Sequence, residues 1–136
     1  VKEKESTGLQ FIRRKKMGKY VDAFLIPIAK DKVEEYREIA QKAGEVWMDH
    51  GALQFCECAG DDLESEGMLS FKTSANAAEA ETVIFSWIAF ESREHRDKVN
   101  AAVMEDARLK DMMDKNKQIF DFKRMAYGGF KAIVEF

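Results

Sequence analysis

Residues 85–100 read FSWIAFESREHRDKVN, an apolar run that passes with no spacer into a charged, helix-like segment holding one His and two Arg. The run begins at Val83, and side chains alternate across a strand. One face of 83–91 then carries Val83, Phe85, Trp87 and Ala89, and the other Ile84, Ser86, Ile88 and Phe90. Neither face suits water. Covering helices explain one; the second needs another layer. Burying a large apolar side chain contributes about 1.5–3 kcal/mol, so three or four left in water would forfeit several kcal/mol and make an adhesive patch. The economical cover is a second copy of the same sheet, packed face to face in a two-fold dimer. The alternative is that residues 63–80 fold back over the open face.

The surroundings of this strand set the order of elements. Ser92 can cap the helix that follows, since its hydroxyl accepts a backbone N–H in the first turn, and Val99, Ala102 and Val103 supply a buried stripe. Upstream, Tyr20–Ile28 reads as a first strand, with Pro27 confined to an end or edge because it cannot donate to a ladder. Asp31 with Glu34 three residues on resembles a capping box. Val33, Tyr36, Ala40, Ala43 and Trp47 recur at helical spacing, and Gly51 suits a left-handed stop. Residues 53–59 alternate as a second strand, Met68–Phe71 is a candidate short strand, and a helical piece is expected over Leu109–Met113. A last strand runs over roughly 123–135, with a bulge or bend at Gly128-Gly129. The order β-α-β-(β)-β-α-β predicts an α+β fold, a ferredoxin-like βαββαβ subunit with an antiparallel sheet.

Length and composition agree with one such domain. The chain has 136 residues, 46% hydrophobic and 35% charged, the balance of a soluble globular protein. No apolar run approaches the roughly 20 residues that span a bilayer, and the start lacks the pattern of a secretory signal. With two Cys, a disulfide framework is not expected, and a reducing cytoplasm is the expected location. Residues 1–16 hold six basic and two acidic residues, a surplus of +4 that leaves −7 on the remainder of a chain of net charge −3. This basic arm reads either as a solvated tail or as a non-native extension before Met17, because Arg13-Arg14-Lys15 is what a purine-rich ribosome-binding sequence gives when translated in frame. The acidic body, residues 17–136, repels phosphates and disfavours a nucleic-acid role.

The segments YVDAFLIPIAKDK, AGEVWMDHGALQFCECAGDD, ETVIFSWIAFESREHRDKVNAAVM and FDFKRMAYGGF together resemble the YbaA-like family of small uncharacterised bacterial proteins, from about Tyr20 to Phe136. The resemblance implies membership of the dimeric α/β-barrel superfamily, alongside small antibiotic-biosynthesis-type monooxygenases, and so a ferredoxin-like subunit dimerised through its sheet. It carries no established activity. Family members typically have Pro in the 63–80 loop, after the second helix and before the last strand; here Pro27 is the only Pro, so the loops are less stiff. Haem-degrading members of the wider superfamily place an Asn on the first strand, a Trp on the third and a His on the next helix. Trp87 and His95 echo two of these, with Asp22 in place of the Asn.

Candidate chemistry is thinly spread. Cys56 and Cys58 share a strand face with Cα atoms about 6.8 Å apart, the limit for a disulfide, and read as buried, inert thiols. The two His do not have metal-ligand spacing, and no metal or cofactor is expected. His50 ends the first helix, where it can donate to free carbonyls; proton transfer is its alternative role, and His95 is the other candidate catalytic group. Arg96 and Asp97 are expected in surface or inter-element ion pairs. Trp87, Arg124 and Tyr127 are the candidate ligand contacts. Two function classes remain: a homodimer that binds or transforms, without a cofactor, an apolar or aromatic compound in a cavity, or a non-catalytic dimeric interaction module. A cavity of about 300 Å³ or more with converging polar groups favours the first.

Overall fold

The computed structural model describes residues 19–136; the basic arm expected at 1–16 and the start expected at Met17 lie outside the described residues. Strand β1 (Tyr20–Ala29) leads through a 3-10 turn (Lys30–Lys32) into helix α1 (Val33–Asp49). Then come β2 (Gln54–Ala59), a single helical turn α2 (Phe71–Ser74) and β3 (Glu81–Phe90). Helices α3 (Arg93–Met104) and α4 (Ala107–Asn116) follow, then a 3-10 turn (Phe122–Arg124) and β4 (Ala126–Lys131). The sheet order is β2-β3-β1-β4, and every neighbouring pair is antiparallel. This is the split βαβ arrangement of the ferredoxin-like fold.

Register decides which residues meet the helices. Tyr20, Asp22, Phe24, Ile26 and Ile28 of β1 are in phase, and across β3 they align with Phe90, Ile88, Ser86, Ile84 and Thr82. That face takes the helices. Ile26, Ile28 and Ile84 pack with Tyr36 and Ala40 of α1, and Ile88 and Phe90 pack with Val46, Val99 and Val103. Ser92 caps α3 by accepting the His95 N–H at 3.0 Å, and Gly51, at φ +106°, ends α1 in the left-handed region, as its spacing predicts.

The opposite phase of β3, Val83 to Ala89, forms the sheet's other face. Its far end is roofed within the chain: α2 brings Phe71 edge-on to Phe85 at 6.2 Å between ring centroids, and Val83 and Pro27 are fully buried. So the 63–80 segment covers part of this face, and Met68–Phe71 forms no strand because Ser70 instead caps a helical turn by accepting the Lys72 N–H. Phe85 remains 41% exposed and Phe130 of β4 59% exposed.

Four local expectations are corrected. Asp31 makes no cap; the 3-10 turn starts first, and α1 begins at Val33 with no side-chain cap. The piece expected at 109–113 is a full helix, α4, because Asp106 accepts the Arg108 N–H at its start. The last strand is shorter than 123–135, since Asp121 caps a 3-10 turn through Lys123 just before it. Gly128-Gly129 makes no bulge: the β1–β4 ladder runs unbroken from Leu25–Ala126 to Tyr20–Lys131.

Candidate functional site

The ferredoxin-like sheet does not pack flush against its helices. Between them lies a cavity of about 330 Å³. Its sheet wall is Phe24, Ile26, Phe55 and Ile88; its helix wall includes Trp47 from α1 and Leu109 and Met112 from α4. Phe120, Phe122 and Met125 close the side toward β4. Met104 and Met113, both exposed, stand at the rim, where flexible thioethers adapt to variable shapes.

Two polar clusters interrupt this apolar lining. At the first, Asp22 of β1 is 1% exposed. Its Oδ1 accepts from Arg96 Nη1 at 2.6 Å, and its Oδ2 from Asn100 Nδ2 at 3.1 Å. Asn100 in turn accepts from Trp47 Nε1 at 3.0 Å, and Arg96 Nη1 also donates to the Tyr127 hydroxyl at 2.9 Å. This chain ties α1, α3, β1 and β4 together. Arg96 and Asn100 are one turn apart on α3, so both reach down to the same strand residue. The guanidinium also donates to Asp97 and lies 4.8 Å over the Tyr20 ring. Burial, then the Asp22 charge, pushes the Tyr127 phenol above its usual value.

At the second cluster, Glu57 of β2 accepts from the Tyr36 hydroxyl of α1 at 2.8 Å. Ser86 lies directly across the ladder from it. Burial pushes the Glu57 carboxyl up to about 7, and the hydroxyls of Tyr36 and Ser86 offset only part of that shift. Burial, then the Glu57 charge, raises the Tyr36 phenol well above its ordinary range. A third polar atom, Asn116 Oδ1 at the end of α4, is buried with no hydrogen-bond partner in a residue that lines the cavity.

Of the five candidate catalytic and ligand-contact residues, Tyr127 lines this cavity and Trp87, Arg124, His50 and His95 lie elsewhere. Trp87 stands on the opposite sheet face, paired across the ladders with Ala23 and Cys56. Asp22 and Trp87 therefore point to opposite sides of the sheet, and the arrangement echoed from haem-degrading proteins does not assemble. Arg124 clamps Glu81 through two bonds of 2.8 and 2.9 Å and donates to the Asn76 carbonyl. His50 donates through Nε2 to Asp106 at 2.8 Å rather than to helix carbonyls, and Arg108 joins Asp106 and Asp49 at the same junction. Arg108 first, then His50, holds the Asp106 carboxyl far below the usual range. His95 accepts the Glu91 N–H on Nδ1 and abuts Phe90 edge-on. Cys56 and Cys58 are free, with sulfurs 3.6 Å apart on the uncovered face of the edge strand. They are not buried: Cys58 is exposed and Cys56 half-buried.

Glu57, Ser86, Asn100 and Asn116 have no site role in the sequence reading, and Asp22 has only that of the Asn in the haem-degrading arrangement. The signal was present for three of them. Asp22, Glu57 and Ser86 each occupy a position in phase with apolar neighbours that face the helices, where a polar group must be satisfied or functional. Among the described residues no group of three or more His, Cys, Asp or Glu is placed to hold a metal ion, and no helix is long and apolar enough to cross a membrane.

Comparison with known proteins places this architecture. Residues 19–122 match the model of a family described as protein of unknown function, DUF1428. The chain is 40% identical over 117 residues to the uncharacterised protein YbaA of Escherichia coli K12, an alignment spanning 86% of this chain and 98% of that protein. Among solved structures, a dimeric ferredoxin-like protein from an uncultured marine organism superposes with TM-score 0.58 at 13% identity, covering 88% of this chain and 99% of that one. A NIPSNAP family protein of unknown function from Agrobacterium tumefaciens superposes with TM-score 0.54 at 14% identity, covering 85% and 89%. The structural likeness extends to the fold, whereas the sequence matches go further: this chain belongs to the DUF1428 family and is similar to YbaA over most of its length.

Proposed function

We propose that the protein binds, or transforms without a cofactor, a small and mainly apolar compound in the cavity between sheet and helices, and that it does so as a homodimer joined through the opposite sheet face. The cavity carries the proposal. At about 330 Å³ it falls within the range of small-molecule sites, and it combines apolar walls with a few converging polar groups. A chain evolved only to present an interface gains nothing from leaving that space unfilled, because voids of this kind cost stability. The buried Asn116 Oδ1 without a partner fits a site whose hydrogen bonds are completed by a ligand. Tyr127 and the Asp22–Asn100 pair would contact one end of the occupant, and the Tyr36–Glu57 pair another.

The assembly reading rests on the exposed aromatic surface of Phe85 and Phe130 and on the tail residues Ile133, Val134 and Phe136, all exposed in one subunit. The two sheet faces thus have different tasks, one enclosing the site and one joining copies. Two solved proteins of this fold are described as dimeric. Native mass spectrometry of protein purified from its own host tests both parts together. A dimer mass carrying a retained small molecule is the expected result. A monomer without adduct, whose apolar cavity also takes up no small aromatic probe, overturns the reading.

A further inference from the structure

The cavity lining has a one-sided charge. Among the described residues two carboxylates, Asp22 and Glu57, border it, and no Lys, Arg or His does. The two carboxylates are not equivalent. Asp22 is matched by Arg96 at 2.6 Å and by the Asn100 amide. Glu57 has hydroxyl partners alone; among the described residues no cation pairs with it. Burying an ionised carboxylate without a countercharge is costly unless something else supplies one. Asn116 adds an acceptor with no hydrogen-bond partner to the same space. Around these acceptors stand the rings of Phe24, Tyr36, Trp47, Phe55 and Phe120, faces that attract cations. An anionic ligand would meet two negative groups and no unpaired positive one.

Resting on the reading of this cavity as the ligand site, we infer that its occupant is a lipophilic amine, whose ammonium group pairs with the Glu57 carboxylate while its apolar body lies against the aromatic walls. The missing countercharge then arrives with the ligand. Binding is also linked to protons. With Glu57 titrating at about 7 in the free protein, the ionised carboxylate that can pair is scarce at pH 6 and dominant at pH 8, while an alkylammonium keeps its proton throughout. Other titratable and charged groups also face Glu57. Tyr36 of α1 is raised far out of the window. Asp22 of β1 is held by Arg96, and Tyr127 of β4 is raised. Arg37, Glu45 and Asp49 of α1 border the groove on the outer side of Glu57, and Arg37 is engaged with Glu34. From β3 comes Ser86, and α4 presents Leu109, Met112, Met113 and Asn116, none of which titrates.

Three probes of nearly the same shape test this on the full chain: 2-phenylethylamine, 2-phenylethanol and phenylacetate, titrated calorimetrically at pH 6 and pH 8 against the wild type and Glu57→Gln. The wild type is expected to bind the amine roughly tenfold more tightly at pH 8 than at pH 6, to bind the alcohol without that dependence, and to bind phenylacetate least. Glu57→Gln, nearly isosteric, is expected to retain the alcohol and lose both the preference for the amine and its pH dependence. Binding of the alcohol with equal or tighter binding of phenylacetate than of the amine overturns the inference while leaving the cavity as a ligand site. So does an amine affinity indifferent to pH or to Glu57→Gln. Failure of all three probes overturns the cavity reading itself.

Discussion

Asp22 Oδ1 and Arg96 Nη1 lie 2.6 Å apart with the carboxylate 1% exposed and the arginine side chain 12% exposed, joining the central strand β1 to the outer helix α3. The pair is deeper than a surface ion pair, and its worth lies in mutual satisfaction. Removing only the carboxylate, as in Asp22→Ala, leaves a desolvated guanidinium and an Asn100 amide without its acceptor. The expected loss is about 3–5 kcal/mol, seen as a lower urea midpoint at unchanged slope. Replacing both partners, Asp22→Leu with Arg96→Met, is expected to recover a large part of that loss because no charge is then left buried. A double variant no more stable than Asp22→Ala would show that packing rather than charge sets the cost.

Gly129 stands opposite Asp22 across the β1–β4 ladder, and its lack of a side chain is what lets Tyr20 lie across β4. A Cβ there would meet the Tyr20 hydroxyl oxygen, with the ring carbons Cε1 and Cζ at 2.8 Å. The ring cannot easily move away, since the Arg96 guanidinium lies over it. Gly129→Ala is expected to cost about 1–3 kcal/mol, the range for overpacking. In a Tyr20→Leu background the same change should cost measurably less, and a double-mutant cycle by urea denaturation reads the coupling. An unchanged cost would place the strain in the backbone instead.

How much of this was legible follows from periodicity. Alternation along 83–91 and along Tyr20–Ile28 gave the sheet, and the caps at Ser92 and Gly51 bounded the helices, because these signals are local. Period two sorts residues into two faces but does not say which face meets the helices. Trp87 has the residue type of a ligand contact but lies on the other side from Asp22, a choice that long-range packing alone decides. Glu57 was legible in principle: in Gln54–Ala59 it shares its phase with Phe55, an acidic residue within an inward set. His50 and Arg124 carry the residue types of catalysis, yet each is consumed by an acidic partner distant in sequence, Asp106 and Glu81, which no spacing rule reveals.

The proposed assembly through the open sheet face would make Phe85 and Phe130 the sensitive positions. Introducing a charge there, as in Phe85→Glu combined with Phe130→Glu, leaves the helix-side core untouched. Sedimentation at micromolar concentration is expected to move from a dimer to a monomer while far-UV circular dichroism stays native. A wild type that already sediments as a single chain at high concentration would remove the dimer.

Glu81 and Arg124 supply a pH signature away from the cavity. Hydrogen bonds from Arg124, then the Ala78 N–H, lower the Glu81 carboxyl to about 2 from its ordinary 4.5. Between those values the unfolded chain binds a proton that the folded one does not, so this contribution is complete above about 4.5 and disappears as pH falls toward 2. Arg124→Gln is expected to flatten the stability–pH curve in that window and to change little in its shape above it. Urea midpoints from pH 2 to 6 provide the check, and an acid limb as steep as in the wild type would count against the assignment.

Glu57 has the opposite sign. Its carboxyl titrates at about 7 in the folded protein against 4.5 for the ordinary group. As pH rises from 4.5, the unfolded chain releases this proton while the folded chain keeps it, so the folded state loses relative stability until about pH 7 and no further above it. The penalty corresponds to the size of the shift and is on the order of 3–4 kcal/mol. Glu57→Gln keeps an acceptor for the Tyr36 hydroxyl and removes the titration. The variant is therefore expected to match the wild type near pH 4 and to exceed it in urea midpoint at pH 8. Such a cost in the empty protein is what the proposed binding role of Glu57 would entail, by the usual trade between function and stability. If Glu57→Gln is instead less stable than the wild type at pH 8, the carboxylate is already paired in the free protein, and the proton linkage falls with it.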